Sequence, residues 1–462
     1  MYDTIIIGAG MSGLAAGIRL AYYEQRVCIL ERHTTIGGLN SFYRLNRRDY
    51  DVGLHAVTNF TGPQTKRGPW HRILRQLRFR WEEFALAPQR GSRIAFPEVT
   101  LRFNNHPEKL ASEVARAFPD QRDGFARLCD AIVDYDHLTQ DMFQQSARDH
   151  LQTYLRDPLL TEMLLCPLMW YGNPREDDMT WGSFCIMFRS IFFEGFGRPF
   201  KGVRLILSNL VKRFRSLGGE LMLRRGVNRI LLDQGRAVGV ELDNGQQLFG
   251  QRILSSAGHV ETLRLCQSES PLESVAPGQM SFVETMSVLD RQPQEIGFDD
   301  TIVFFNDSEH FHWRRPEHGL CDARTGVICS PNNYLYGPGE GELPEGLIRI
   351  TAIASFDRWR ELDEPAYRRE KLRWYDQTAA AAARFMPDFR PYVIDTDMFT
   401  PTTIYRYTWH DNGAVYGAPD KRLDGTTAVP NLFICGTDQG FIGIVGALLS
   451  GIAMANRHCL KD

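Results

Sequence analysis

Near the start of the chain, one stretch decides the fold; it reads Tyr2-Asp3-Thr4-Ile5-Ile6-Ile7-Gly8-Ala9-Gly10-Met11-Ser12-Gly13. The β-branched run at residues 4–7 predicts a buried parallel strand, and helix-forming residues follow to about Tyr23. Between them, residues 8–13 match the pattern G-x-G-x-x-G. The first glycine of this pattern allows a tight turn, the second lets a pyrophosphate approach the backbone, and the third lets helix and strand pack closely.

A second strand is predicted from Arg26 to Glu31, which completes a β-α-β unit. Glu31 follows the glycines by about 20 residues, where a carboxylate accepts hydrogen bonds from the ribose of a dinucleotide. A negative charge there disfavours NADP, because it repels the 2′-phosphate. The bare glycine pattern also suits a tight turn with a helix cap. Its position between strands, together with Glu31, favours a dinucleotide site.

Composition excludes several classes of protein. The 462 residues suffice for two or more domains, and 43% hydrophobic with 24% charged residues is typical of a globular protein. A net charge of −3 gives no electrostatic reason to bind nucleic acid. The nine cysteines are scattered and form no C-x-x-C pair, so we expect neither a disulfide framework nor a zinc site. With no signal peptide recognised, we expect a cytoplasmic location.

The rest of the chain indicates a domain built from separated pieces. Residues 203–217 carry apolar side chains at helical spacing, and strand patterns follow at 220–223, 229–233, 237–242 and 251–255. Asp243-Asn244-Gly245 predicts a hairpin turn. We predict a nucleotide-binding domain at 1–70, 201–290 and 425–462. A substrate domain at 71–200 and 291–424 is expected to be inserted into it.

Two further segments carry a resemblance to a known family. Gly37-Gly38 follows the acid, and Tyr50-Asp51-Val52-Gly53-Leu54-His55 comes shortly after. This arrangement resembles the extended fingerprint of FAD proteins of the amine oxidase and phytoene desaturase type. In that family the glycine pair packs beside the pyrophosphate, and the Asp-x-Gly-x-His stretch runs past the flavin. Many relatives have arginine after the glycine pair, where this chain has Leu39, so one phosphate contact is missing.

The C-terminal region strengthens the resemblance. The strand pattern at 431–435 is followed by Gly436 and Asp438, and a glycine-rich helix pattern runs from Gly443 to Gly451. The resemblance implies that Asp438 holds the ribityl chain and that the turn at 444–446 faces the flavin pyrimidine. It also places Val227 and the Ala257-Gly258 turn at the adenosine end. Without the family, the same segment would predict only a buried packing helix.

The resemblance therefore implies FAD as the cofactor and a set of residues that contact it. These are Gly8, Ala9, Gly10, Met11, Ser12, Gly13, Glu31, Arg32, Gly37, Gly38, Leu39, Asn40, Gly53, Leu54, His55, Val227, Ala257, Gly258, Gly436, Asp438, Ile444, Val445 and Gly446. The implied fold class is α/β, with a Rossmann-type FAD-binding domain like that of glutathione reductase and an inserted α+β substrate domain.

Within the superfamily, the C-terminal motif and the segment Gly413–Gly417 look most like retinol saturase and the carotenoid isomerases. This implies an oxidoreductase acting on carbon–carbon bonds of an apolar isoprenoid such as a carotenoid or retinoid, by desaturation, saturation or isomerisation. An amine oxidase is the alternative, with Tyr405, Tyr407 and Trp409 as an aromatic cage. A non-catalytic flavoprotein is a second alternative, which the loss of arginine at Leu39 slightly favours.

Few residues outside these motifs indicate chemistry. His55, close to the flavin by motif, is the candidate acid or base, and a neutral packed histidine is the competing interpretation. Tyr405, Arg406 and Tyr416 are weaker candidates. No G-x-S-x-G elbow is present. His310 and His312 lack a carboxylate at ligand spacing, so we expect no metal.

Two apolar stretches predict contact with lipid or with an apolar substrate. The segment Phe184–Phe200 carries many aromatic side chains, which suit a tunnel wall, a surface resting on a membrane, or the core of a helical cap. Residues 439–456 are uncharged over a length at the lower limit for a membrane span, and they equally suit a buried helix. We therefore expect peripheral membrane attachment as well as an apolar small-molecule substrate.

Overall fold

The computed structural model describes residues 1–135, 145–267, 273–440 and 442–460. Its strands, in chain order, are β1 (Tyr2–Ile7), β2 (Val27–Glu31), β3 (Phe42–Leu45), β4 (Arg48–Asp51), β5 (Leu86–Pro88), β6 (Ser92–Ala95), β7 (Thr100–Phe103), β8 (Gly197–Pro199), β9 (Glu220–Leu223), β10 (Val227–Asp233), β11 (Arg236–Leu242), β12 (Gln247–Ser255), β13 (Ser281–Leu289), β14 (Ile302–Asn306), β15 (Cys321–Cys329), β16 (Gly346–Ala354), β17 (Val393–Phe399) and β18 (Leu432–Ile434).

The α-helices lie between these strands and also form a separate block before β8. They are α1 (Met11–Ala21), α2 (Pro69–Leu77), α3 (Pro107–Ala117), α4 (Arg122–Asp134), α5 (Ala147–Gln152), α6 (Pro158–Gly172), α7 (Trp181–Phe188), α8 (Val203–Ser216), α9 (His259–Leu265), α10 (Phe356–Arg360), α11 (Glu364–Ala382), α12 (Pro401–Thr408) and α13 (Gly443–Met454).

The first seven-stranded sheet contains the predicted β-α-β unit. Its strands follow the order β10-β11-β12-β1-β2-β9, and β18 also pairs with β12. Strands β18, β12, β1, β2 and β9 run parallel, so their carboxyl ends share one edge. All residues of β1 from Asp3 onward are buried, which is why the segment reads as a continuous apolar run. Helix α1 packs against α8 and α13 on one face of this sheet.

The second seven-stranded sheet has the order β17-β13-β16-β15-β14-β6-β7. Its strands pair antiparallel except β14 with β6, which are parallel. The sheet contains strands from residues 92–103 and 281–399. Strands β9 to β12 of the first sheet lie between these two segments in the chain. Strand β13 belongs to this second sheet. The predicted division placed residues up to 290 with the nucleotide-binding domain, and the sheet pairing instead puts the change before Ser281.

The secondary structure predicted for residues 203–255 is confirmed. Strands β9, β10, β11 and β12 fall on the predicted patterns, and α8 covers 203–216. At the predicted hairpin, the Gly245 amide donates to the Leu242 carbonyl oxygen over 2.9 Å. The apolar repeat at residues 203–217 therefore predicts helix α8, and the turn residues 243–245 predict the hairpin between β11 and β12.

The helical block from α3 to α7 has its own core, and the aromatic stretch after Phe184 belongs to it. The side chains of Phe184, Phe188, Phe192 and Phe196 are at most 1% exposed. A face that rests on a membrane must be exposed, so the predicted lipid contact through this stretch is wrong. These phenylalanines are the core of a helical cap, which is one of the interpretations that the sequence left open.

The C-terminal uncharged stretch contains α13, a helix of 12 residues whose apolar side chains are buried against α1. Throughout the described ranges, we find no helix that combines the length and apolarity needed to cross a membrane. The transmembrane interpretation of 439–456 is therefore not supported, and the packing interpretation describes this segment.

Candidate functional site

A cavity of about 840 Å³ lies between the two sheets, within the size range of small-molecule sites. Its glycine side is formed by Gly8, Gly10, Gly37 and Gly38, at the carboxyl edge of the first sheet. Its sheet side is formed by residues on the face of the second sheet and by the His55 segment. The cavity therefore lies between the glycine turns of the first sheet and one face of the second sheet.

On the glycine side, two glycines are required by the backbone itself. Gly8 has φ +95°, and its amide donates to the Leu30 carbonyl oxygen over 2.8 Å. A Cβ placed on Gly13 would lie 2.1 Å from the carbonyl oxygen of Gly8. Any side chain at Gly13 would therefore push α1 away from the end of β1.

The other glycines present bare backbone to the cavity. A Cβ on Gly10 would come no closer than 4.0 Å to another atom, so this position faces open space. Gly37 has φ +112°, and its amide donates to the Ala9 carbonyl oxygen over 3.0 Å. The two glycine turns are thereby joined into one surface without side chains. Such a surface lets a pyrophosphate approach the backbone amides, and the fit to a dinucleotide is good.

Glu31 ties the first glycine turn to the segment that follows β2. Its Oε2 accepts from the Ala9 amide over 3.0 Å, and its Oε1 accepts from the His33 amide over 2.9 Å. The carboxylate also lines the cavity. A carboxylate has about four acceptor positions, so hydrogen bonds from a ribose remain available. Beside it, the Arg32 guanidinium lies 3.7 Å from the centre of the Trp409 ring.

Most of the predicted cofactor residues line this cavity. Those that do are Gly8, Gly10, Met11, Ser12, Glu31, Arg32, Gly37, Gly38, Leu39, Asn40, Gly53, His55, Val227, Ala257, Gly436 and Ile444. Residues that lie behind its wall are Ala9, Gly13, Leu54, Gly258, Asp438, Val445 and Gly446. For Gly13 the reason is packing, and for Val445 it is helical periodicity, which turns this side chain into the core next to α1.

Asp438 departs from its predicted role. Its Oδ2 accepts from the His259 amide over 2.6 Å, and its Oδ1 accepts from the Ala418 amide over 2.7 Å. The side chain is 3% exposed and does not reach the cavity. Burial raises the pKa of this carboxyl, but Lys421 and His410 outweigh burial, so the pKa lies below its usual value. The carboxylate fixes two loops, and the geometry does not support a contact between this side chain and a ribityl chain.

The start of α13 reaches the cavity through Ile444, one of the three residues of the predicted turn. Gly443 and Ile444 line the cavity together with Gly436 and Thr437. The first amides of a helix carry partial positive charge, because they lack intrahelical acceptors. The cavity therefore receives a helix N-terminus, which favours an anionic or electron-rich group there.

The floor of the sheet side is one face of the second sheet. Glu284 on β13 lies opposite Thr351 on β16, and Val327 on β15 lies on the other side of Thr351. Phe282, two residues from Glu284, points to the same face because strand side chains alternate. All four side chains line the cavity.

Three charged groups meet at this floor. His55 Nε2 lies 3.2 Å from Glu284 Oε2, and Thr351 Oγ1 lies 3.4 Å from the same nitrogen. The other oxygen of Glu284 forms a short ion pair with Arg349. Arg349 also donates to the carbonyl oxygens of Val52 (2.5 Å) and Leu54 (2.7 Å), so it ties the His55 segment to the second sheet.

This cluster sets the ionisation of His55. Burial is the largest single influence and lowers the pKa of the imidazole. Attraction to the Glu284 carboxylate, together with hydrogen bonds to Glu284 and Cys329, outweighs burial and Arg349 and raises the pKa to about 9. Burial raises the pKa of Glu284, and Arg349 and His55 together bring it below its usual value. At neutral pH all three side chains are charged, and their sum is positive.

Glu284, Arg349 and Thr351 are not predicted from the sequence. One signal is present in the chain, because Glu284 and Arg349 are single charges inside otherwise uncharged apolar strands, SFVETMSVL and GLIRITAIA. Buried charges require partners. The partnership depends on strand register, which the sequence does not reveal.

Aromatic and aliphatic side chains complete the sheet side. Trp170, Tyr171, Phe282 and Tyr416 line it, together with Ile442. The hydroxyl of Tyr416 donates to the carbonyl oxygen of Trp170 in a short hydrogen bond, so it is occupied. Of the other weaker candidates, Tyr405 and Arg406 do not line the cavity, whereas their neighbours Tyr407 and Trp409 do.

The two histidines considered as metal ligands have other partners. His310 Nδ1 lies 3.3 Å from Glu162, and His312 Nε2 lies 3.2 Å from Asp307. In the part of the chain that the structure describes, no group of three or more histidine, cysteine or acidic side chains is arranged to hold a metal ion.

Comparison with known proteins identifies the relatives of this chain. Residues 6–77 match the family described as "NAD(P)-binding Rossmann-like domain". Prolycopene isomerase of Arabidopsis thaliana is 24% identical over 99% of this chain and 82% of its own length. All-trans-retinol 13,14-reductase of Danio rerio is 21% identical over 99% of this chain and 86% of its own.

A third relative is 4,4'-diaponeurosporene oxygenase of Staphylococcus aureus, 21% identical over 90% of this chain and 88% of its own length. The relatives named here belong to the FAD-dependent amine oxidase and carotenoid desaturase superfamily. The resemblance drawn from the glycine pair and the C-terminal motif is thereby confirmed. The Rossmann-like match at residues 6–77 agrees with this resemblance.

Solved structures of the same fold cover nearly the whole of this chain. An oxidoreductase from Methanosarcina mazei superposes with a TM-score of 0.68 at 16% identity, over 98% of this chain and 99% of its own. A putrescine oxidase variant gives 0.65 at 14% identity, over 98% of each chain. Rab GDI from Plasmodium falciparum gives 0.57 at 10% identity, over 100% of this chain and 99% of its own. The predicted α/β fold class is confirmed.

Proposed function

We propose that the protein is an FAD-dependent oxidoreductase that acts on a carbon–carbon double bond of an apolar isoprenoid. The observation that carries this proposal is a single cavity with two different walls, a bare backbone surface on the glycine side and an aromatic wall on the sheet side. Three relatives that align with most of this chain are a prolycopene isomerase, a retinol reductase and a diaponeurosporene oxygenase. Their names refer to isoprenoids and support the proposed substrate class.

FAD is proposed on the fit of the residues present. The joined glycine turns would hold the pyrophosphate, Glu31 the ribose, and the start of α13 the flavin ring. When bound, the flavin would accept or return a hydride. Asp438 is left out of this set, because its buried side chain does not line the cavity. The domain division stays a proposal too, with its second boundary moved to before Ser281.

The residues of the sheet side would orient the substrate and exclude water. Trp170, Phe282 and Tyr416 offer flat apolar surface to a conjugated chain. His55 lines the same side and is proposed as the group that exchanges a proton with the reacting carbon. Exclusion of water strengthens electrostatic interactions there, since the local dielectric constant falls.

An amine oxidase is the second candidate, since a putrescine oxidase shares the fold and Tyr407 and Trp409 line the cavity. The Arg32 guanidinium already covers the Trp409 ring and would repel a cationic amine. A non-catalytic role is a third possibility, because Rab GDI shares the fold. The charged cluster at His55 favours a catalytic role over this third possibility.

Peripheral membrane contact is proposed at other residues than the sequence indicated. Tyr405, Tyr407 and Trp409 are 36%, 54% and 41% exposed beside the cavity. Tyrosine and tryptophan favour the interface between membrane and water. Flotation of the protein with liposomes, abolished by Tyr407→Ser with Trp409→Ser, is the expected result. Sedimentation without lipid of both the parent protein and the double variant would contradict the proposal. The expected cytoplasmic location stays a prediction.

The proposed function is tested on purified protein. We expect the absorption spectrum of bound flavin, and turnover of a carotenoid or retinoid under oxidising or reducing conditions. A matched control is Gly10→Val, which fills the backbone surface without touching the sheet side. It should lose flavin and turnover together. Absence of flavin, or a reducible flavin without polyene turnover, would contradict the proposal, and peroxide released with amines would favour the second candidate.

A further inference from the structure

Among the side chains of the sheet side, His55 is placed to give up a proton. It lines the cavity, its side chain is 14% exposed, and it lies beside the aromatic wall. Glu284 also lines the cavity but is paired on both oxygens, with His55 and Arg349. Thr351 is not acidic enough to serve, and the Tyr416 hydroxyl already donates to a carbonyl oxygen.

Groups from each neighbouring element decide the charge of His55. Strand β13 contributes Glu284, β16 contributes Arg349 and Thr351, and β15 contributes Cys329. The Tyr334 hydroxyl, after β15, donates to the backbone carbonyl of His55 over 2.8 Å and so fixes the segment. Only Glu284 in this set carries negative charge, and it lies in direct contact with the imidazole.

The proposed function leaves desaturation, saturation and isomerisation open, and this cluster separates desaturation from saturation. Desaturation needs a group that takes a proton from carbon, whereas saturation needs a group that gives one. An imidazolium held against a buried carboxylate already carries its proton. It therefore cannot act as a base until it has lost that proton to water.

We propose that the reaction at this site is saturation, with His55 as the proton donor and Glu284 as the positioning residue that keeps the imidazole protonated. This inference rests on the proposed function. The π bond of the substrate breaks, and one carbon takes a hydride with its two electrons from the reduced cofactor. The other carbon takes the proton of His55, which water then replaces. The oxidised cofactor is reduced again by a two-electron donor, for which the probe is dithionite.

The first test needs neither cofactor nor activity. The imidazole of His55 is titrated by nuclear magnetic resonance, with His55→Gln used to assign its signal. We expect a pKa near 9 in the parent protein. In Glu284→Gln the attraction is gone, whereas burial and Arg349 still lower the pKa, so the midpoint should fall below 6.5. Glu284→Asp should restore most of the upward shift.

The matched control is Glu162→Gln, which removes another buried carboxylate paired with an arginine, Arg148, away from the cavity. It should leave the His55 titration unchanged. A midpoint at or below 6.5 in the parent protein would overturn the inference, and so would an unchanged midpoint in Glu284→Gln. The parent measurement stands even if the variants fail to fold.

The second test follows the reaction. With dithionite-reduced protein in deuterated water, the saturated product should carry one deuterium on each former double-bond carbon. Dithionite supplies only electrons, so the transferred hydride as well as the proton takes its hydrogen from solvent. The rate should fall above pH 9 in the parent and at least two pH units earlier in Glu284→Gln. His55→Gln should lose 100-fold or more in rate with an unchanged flavin spectrum.

The two failures are distinguishable. Absence of turnover with any polyene contradicts the proposed function, while the titration still reports on His55. Desaturation of a polyene by oxidised protein, with no saturation under reduction, overturns the inference and leaves the proposed function in place. Saturation at an unchanged rate in His55→Gln overturns the role of His55 alone.

Discussion

The two sides of the cavity are built by different means. The glycine side is made of backbone, and its shape follows from residues that lie close together in sequence, such as Gly8, Gly10 and Gly13. The sheet side is made of side chains, and Glu284 and Arg349 come from strands 65 residues apart. The comparison teaches that local pattern specifies a backbone surface, whereas strand register specifies a charged cluster.

The largest effect that tests this comparison is expected at Glu284. In Glu284→Ala, Arg349 and His55 are left buried without their carboxylate, and breaking a buried pair costs about 4 kcal/mol in the free energy of unfolding. Urea unfolding at neutral pH measures it. The double variant Glu284→Met with Arg349→Met should cost less, because no unpaired charge remains. A loss below about 1 kcal/mol for Glu284→Ala would contradict a tight pair.

The same cluster explains how far sequence could predict the site. Gly8, Gly37 and Glu31 were found because each meets a local requirement, a left-handed backbone or an acid at the end of a strand. Asp438 was assigned to a cofactor contact by the same local logic. Its actual partners, the amides of His259 and Ala418, come from distant loops that only the tertiary fold brings close.

Fold prediction follows the same division. The patterns of β1, α1 and α8 are local, so their elements were predicted within a few residues. Strand β13 falls on the nucleotide-binding side of the predicted boundary at residue 290, because nothing in its own residues says which strands it will pair with. The phenylalanines after Phe184 have the composition of a surface for lipid, and packing by the helical block decides that they are core.

A pH-dependent stability difference is the next effect. The pKa of His55 in the folded protein, about 9, lies above its unfolded value of 6.5. Protonated His55 therefore stabilises the fold fully below pH 6.5, and this contribution is lost as pH rises through 9. The shift corresponds to about 3 kcal/mol. Unfolding of the parent and of His55→Gln is compared at pH 6 and pH 10.

The difference between the two proteins should shrink over this range. Using a difference removes the titration of other groups, such as Lys421, whose burial lowers its pKa to about 8. A constant difference across the range would mean that Glu284 does not hold the proton on His55. A constant difference would also mean that charge contributes little to the stability of either side of the cavity, so the two sides would no longer differ in this respect.

The glycine side is tested by two substitutions in one turn. Gly13→Ala forces a methyl group against the Gly8 carbonyl oxygen and should lower the free energy of unfolding by about 2 kcal/mol. Gly10→Ala meets nothing within van der Waals distance, so stability should change by about 0.5 kcal/mol at most. Its methyl group projects into the cavity, and flavin affinity should fall at least 10-fold. Equal stability losses in the two variants would contradict separate structural and binding roles.

The smallest effect concerns the contact of Arg32 with Trp409 on the glycine side. Arg32 is close to the glycine turns in sequence, whereas Trp409 comes from the distant end of α12. Trp409 is 41% exposed, so the cation–π interaction is worth about 0.7 kcal/mol. A double-mutant cycle with Arg32→Met and Trp409→Leu measures it by unfolding.

Leucine is used in this cycle because Trp409 has φ +65°. Glycine would relieve that backbone strain and hide the loss of the contact. A coupling near zero would show that Arg32 is held by solvent rather than by the ring. In that case the Trp409 face is open to a cation, and the aromatic cage of an amine oxidase regains the support that this contact removes.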